Sequence, residues 1–156
     1  MILELFFDQI EKTLKDPDTP IHGEDFLNLI SLINDDEKEI DLLMQALDRY
    51  VQNLAYNFGS VSYGPIFIRA ANFLGKPSFT LKLKDPKNIE FFSKVSCISL
   101  ALNLLLKSQK YEELIDLYEF VEKNYNMRMT SIYKTLYAAA CYKVVSFKKH
   151  FYFCII

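Results

Sequence analysis

A chain of 156 residues with 51% hydrophobic and 24% charged side chains is globular, one domain or a segment of a larger protein, and is not disordered. Its net charge of −2 is unevenly divided. Residues 1–75 carry five Lys/Arg against 13 Asp/Glu and residues 76–156 carry 13 against seven, so a polyanionic partner is expected at the basic end.

Three scattered cysteines, Cys97, Cys141 and Cys154, form no CxxC pair and argue against a disulfide framework and a zinc site. Only four glycines and five prolines interrupt the chain, which suits helices with short connections. No run approaches the ~18 apolar residues of a membrane span. The opening MILELFFDQIEKTLKD has four acids and no arginine, unlike a secretory or mitochondrial leader.

Residues 2–15 read as an amphipathic helix with Leu5, Phe6, Ile10 and Leu14 on its apolar side. Asp16–His22 breaks it. Thr19 is a suitable cap with Pro20 in the first turn, or the next helix begins at Gly23, with Phe26, Leu29, Ile30 and Ile33 facing a core. Ile40, Leu43, Met44, Leu47, Tyr50, Val51 and Leu54 then repeat at helical spacing behind an Asp35 or Asp36 cap. After a loop at Asn57–Ser62, a helix opens near Pro65. Pro77 is expected to start its partner, burying Phe79, Leu83 and Leu81, and Asp85–Asn88 is a second loop.

Ser96–Tyr125 is the best-formed stretch, two antiparallel helices joined by a polar turn at Lys107–Lys110. Tyr111, Leu114, Ile115, Tyr118 and Val121 make one apolar face of the second helix, which Leu117 and Phe120 widen. Glu112, Asp116 and Glu119 lie opposite. Thr130 or Ser131 caps a further helix, Ile132–Tyr142. The helical array is expected to occupy residues 1–143 and an irregular apolar tail residues 144–156, with a sticky end at Phe147–Ile156.

Apolar positions recur at 35 residues: Tyr63, Ile98 and Tyr133; Phe67, Leu102 and Tyr137; Ala70, Leu105 and Ala140. Phe79 and Leu114, and Leu83 and Tyr118, share the offset. Repeats near residues 61–95 and 96–130 and an incomplete one from 131 would each bury their faces by stacking on the next. The expected fold is all-α, a right-handed α-solenoid of helix-turn-helix units.

A 35-residue helix-turn-helix with the run LALNLLLKSQKYEELIDLYEFVEK resembles the pentatricopeptide repeat family. Gln109 stands where that family usually has glycine, and Leu114 where it has alanine. The resemblance covers residues 23–143 and extends to the Tyr63–Arg69 run, the Lys110–Tyr111 turn and the Ala-x-Cys-Tyr-Lys run ending at Lys143. It implies a mitochondrial protein that acts in RNA maturation by binding, and a shortened chain lacking its transit peptide and the second helix of its last repeat. It further implies base-reading positions at Leu100 with Thr130, at Thr135, and at Pro65 with Val95; of these only the threonines can hydrogen-bond a base edge.

The candidate RNA-binding residues are therefore Lys107, Lys110, Arg128, Thr130, Lys134, Thr135 and Lys143, the cations for phosphates. Tyr133 and Tyr137 either stack on bases or pack in the core. No catalytic constellation, metal motif, cofactor motif or small-molecule site is legible. The two histidines, His22 and His150, have no predictable nucleophile beside them. The alternative to single-stranded RNA is a protein-interaction scaffold of the tetratricopeptide sort, holding another mitochondrial protein.

Overall fold

The computed structural model describes residues 2–54 and 62–153, and every regular element among them is a helix. The α-helices are α1 (Ile2–Lys15), α2 (Gly23–Leu32), α3 (Glu37–Gln52), α4 (Gly64–Leu74), α5 (Val95–Lys107), α6 (Tyr111–Asn124) and α7 (Ser131–Phe153). The chain divides into two compact units, Met1–Ala70 and Ala71–Ile156. No charged residue lies between Gly75 and Ala70, so this boundary coincides with the division of charge.

In the first unit α1 and α2 both pack on α3. Asp36 starts α3 by accepting from the backbone N–H groups of Lys38 and Glu39. Its buried face is Leu42, Leu43, Ala46, Leu47 and Tyr50, while Ile40, Met44, Val51 and Leu54 are only half-buried. The face is rotated from the expected one because α3 must serve two neighbours. The Phe26 and Tyr50 rings stack at 4.8 Å, and Tyr63 meets them edge-on at 6.2 and 5.6 Å. Gly23 makes room for this cluster, since a Cβ there would lie 2.7 Å from the Tyr63 hydroxyl.

The link from α1 to α2 is held by Arg49. Its Nη1 donates to the Asp16, Pro17 and Thr19 carbonyls at 2.9, 2.7 and 3.3 Å, and Nη2 to the Leu14 carbonyl at 3.4 Å. The guanidinium thus satisfies the open C-terminal end of α1 and the turn beyond it. Thr19 is not a helix cap: its hydroxyl donates to Asp16, and α2 begins at Gly23 behind His22, which makes no side-chain cap. Leu5, expected on the apolar side of α1, is 64% exposed; among the described side chains of that helix Ile10 is the buried one.

In the second unit α5 is central, packed on α6, α7 and the segment Pro77–Lys84. That segment is a 3₁₀ helix and not the expected α-helix. Only seven residues separate its proline from Asp85, which precedes Pro86 and is held extended, so few α-type bonds could form. The Thr80 hydroxyl also takes the Pro77 carbonyl at 2.7 Å. Phe79 and Leu83 are buried as expected, but Leu81 is 57% exposed. The second expected loop is a 3₁₀ turn, Pro86–Asn88, capped by Asp85, and Asn88 is buried with its amide donating to the Lys82 carbonyl at 2.9 Å.

Helices α4 and α5 end alike. Lys76 N–H bonds to the Ala71 carbonyl with Gly75 at φ 63°, and Lys110 N–H bonds to the Leu105 carbonyl with Gln109 at φ 58°. These are paired Schellman closures. Gly64, Phe67, Ile68 and Ala71 are buried in α4, and Ile98, Ala101, Leu102 and Leu105 in α5. The offset between these two sets is 34 residues, one fewer than the expected register. Tyr133 and Ala140 continue the pattern in α7 at 35 from α5, with Leu136 and Tyr137 half-buried.

Thr130 caps α7, its hydroxyl accepting from Tyr133 N–H at 3.4 Å. The helix then continues to Phe153, through the stretch expected to be irregular. Nothing from Tyr142 to Phe153 is glycine, proline, asparagine or aspartate, so no stop signal ends it. Residues 57–61 of the expected loop and the side chains of the expected sticky end, 147–156, lie outside the described residues.

Candidate nucleic-acid interface

The turn at Ser108–Lys110 sends α6 back along α5, and the link after Asn124 returns α7 beside α5. Two tyrosines fix this arrangement. Tyr133, fully buried, donates to the Val95 carbonyl at 2.7 Å and sets the start of α7 against the start of α5. Tyr125 donates to the Leu83 carbonyl at 2.8 Å and ties the end of α6 to the 3₁₀ segment.

From these contacts the seven candidate residues fall into two groups. Arg128, Thr130, Lys134 and Thr135 surround the start of α7. Lys107, twelve residues along α5 from Val95, is about 18 Å away at ~1.5 Å per residue, together with Lys110 at the α5–α6 turn. Lys143 is twelve residues along α7 from Ser131 and therefore level with the second group. Lys134 and Lys143, nine residues apart, point to opposite sides of α7 at ~100° per residue. The set is not one patch.

All five cations are exposed, but Lys110 is shared with Glu113 at 3.2 Å. The two threonines are chemically complementary. Thr135 is exposed and donates its hydroxyl proton to the Ser131 carbonyl at 2.9 Å, leaving acceptor lone pairs. Thr130 accepts from the helix backbone and keeps its proton to donate. Leu100 is half-buried, with its carbonyl accepting from the Asn72 amide at 3.3 Å, Val95 is 50% exposed and Pro65 half-buried; none has a side-chain group that reads a base edge.

Tyr133 is unavailable for base stacking because it is core. Tyr137 is half-buried, stacks on Tyr118 at 4.3 Å and donates to Glu119 at 3.3 Å, so one ring face is already covered. Among the described side chains of α7 the aromatic that projects is Tyr142, 72% exposed, seven residues and about 20° from Thr135 on the same face. The spacing Thr135–Ala138–Tyr142–Val145 could have marked it, since Leu136, Tyr137 and Ala140 take the inward positions.

The electrostatics favour α7 over α6. Five of the seven acids after residue 75 lie on α6 (Glu112, Glu113, Asp116, Glu119 and Glu122), whereas Ser131–Phe153 contains four lysines and no acid. Asp116 is partnered by Lys84 at 3.8 Å.

Cys97 is buried and Cys141 half-buried, and among the described residues no group of three or more His, Cys, Asp or Glu could hold a metal ion. No helix of the described residues is long and apolar enough to cross a membrane. Compared with protein-family models, with curated proteins and with solved structures, the chain matches none.

Proposed function

We propose that this chain is a non-catalytic helical-repeat protein, a right-handed α-solenoid of the pentatricopeptide kind, that binds single-stranded mitochondrial RNA and acts in its maturation. The observation that carries the RNA reading is the grouping of Arg128, Thr130, Lys134 and Thr135 at the start of a helix without acids. Two cations for phosphates stand beside one hydroxyl donor and one hydroxyl acceptor, the minimum a single-stranded base needs. The matching Schellman closures of α4 and α5 and the recurring inward positions support the solenoid.

The test is the salt dependence of binding to a single-stranded mitochondrial transcript. Affinity is expected to fall linearly in log–log form, and Arg128→Ala or Lys134→Ala to lower the slope by about 0.7 each. No binding near physiological salt would leave the second reading, a scaffold for another mitochondrial protein. The apolar side chains of Leu100, Pro65 and Val95 favour that second reading.

A further inference from the structure

Along α7, Ser131, Thr135, Ala138, Tyr142 and Val145 are all exposed and are spaced four, three, four and three residues apart. This is the spacing of a seam that receives another helix. It lies on the side of α7 away from Tyr133 and Ala140, which are buried. The stripe covers fifteen residues, about 21 Å of helix from the first to the last. Its first half is small, so a second backbone can approach closely, and its second half presents Tyr142 and Val145, 72% and 53% exposed. Ile132, 59% exposed, widens one flank, and Lys134 stands on the other.

Charge selects the occupant. The only charged side chains in the sequence of α7 are Lys134, Lys143, Lys148 and Lys149. A second copy of α7 laid on the seam would bring like charges together. RNA would gain from the lysines but would find no hydrogen-bonding group at Ala138 or Val145. We infer that the outward seam of α7 docks an acidic amphipathic helix of a partner protein. The apolar stripe of that helix packs on Ala138, Tyr142 and Val145, and its flanking carboxylates face Lys134. This surface goes beyond the RNA reading, since its centre lies more than one turn past Thr130 and needs no nucleic acid.

The test uses the full chain and a fluorescein-labelled helical peptide with leucine at every a and d position and glutamate at every e and g. Anisotropy at physiological salt is expected to show saturable binding, weakened at least tenfold by Tyr142→Glu and by Val145→Glu. Both positions are exposed, and far-ultraviolet dichroism verifies that each variant is folded. The same peptide with lysine in place of glutamate is expected to bind at least tenfold more weakly, and polyuridylate binding to be unchanged by Val145→Glu. The inference is overturned by absence of peptide binding, by equal binding of the two peptides, or by variants that bind the acidic peptide normally. Self-association of the full chain that Tyr142→Glu abolishes in sedimentation would assign the seam to a second copy instead.

Discussion

Gln109 and Gly75 perform the same task with different side chains. Each lies just past the end of an α-helix and turns the chain back with positive φ, 58° and 63°. An L side chain in this conformation carries a cost of about 1–2 kcal/mol that glycine avoids. Gln109→Gly is therefore expected to raise stability by about 1 kcal/mol, read as a higher urea midpoint with unchanged slope. Gly75→Ala is expected to lower it by a similar amount, although a Cβ there would meet nothing within 4 Å, because the cost is in the backbone. Equal midpoints for wild type and both variants would refute the strain at Gln109. The same residue marks how far sequence reaches: a polar turn at Lys107–Lys110 was legible from composition, but the left-handed backbone of a glutamine was not.

Among the elements, the links that matter are made by buried phenols. Tyr125 and Tyr133 donate to carbonyls at the edges of other elements, and burial pushes both phenols above the ordinary tyrosine value of 10.0. The folded protein keeps these protons while the unfolded chain loses them near pH 10. Their stabilisation is thus complete below pH 10 and declines as pH rises toward the folded values, by up to about 1.4 kcal/mol per pH unit for each group. Urea midpoints are expected to be flat from about pH 7 to 9 and to fall above about pH 10. Tyr125→Phe is expected to cost about 1 kcal/mol at neutral pH, because the Leu83 carbonyl loses a donor, and to make the alkaline fall shallower. An alkaline fall of unchanged steepness in Tyr125→Phe would assign it elsewhere. Periodicity put Tyr133 in register with Ile98 but gave no sign of Tyr125, and it located α3, α5 and α6. It failed for Pro77–Lys84, where two prolines and a threonine hydroxyl overrode the pattern, and beyond Tyr142, where the chain carries no residue that stops a helix.

At the scale of the whole molecule, the division of charge follows the division into compact units, so one chain carries a −8 unit and a +6 unit. The binding surfaces proposed for the basic unit are not independent. A helix lying along the full seam of α7 would cover Thr135 and bring carboxylates to Lys134, the two residues that an RNA strand at the start of α7 must also reach. Peptide and RNA are therefore expected to exclude one another. Titrating polyuridylate into the complex of the chain with the acidic leucine–glutamate peptide should release peptide, and the apparent peptide dissociation constant should rise with RNA concentration. The reciprocal experiment must show the same coupling, because the linkage is thermodynamic. Salt sharpens the distinction: RNA release depends steeply on ionic strength, whereas the peptide keeps the apolar part of its binding to Tyr142 and Val145. A ternary complex in sedimentation, with no loss of either ligand, would place RNA on the other group of cations, Lys107 and Lys110, about 18 Å along α5. Arg128→Ala would then leave RNA affinity unchanged while Lys107→Ala reduced it.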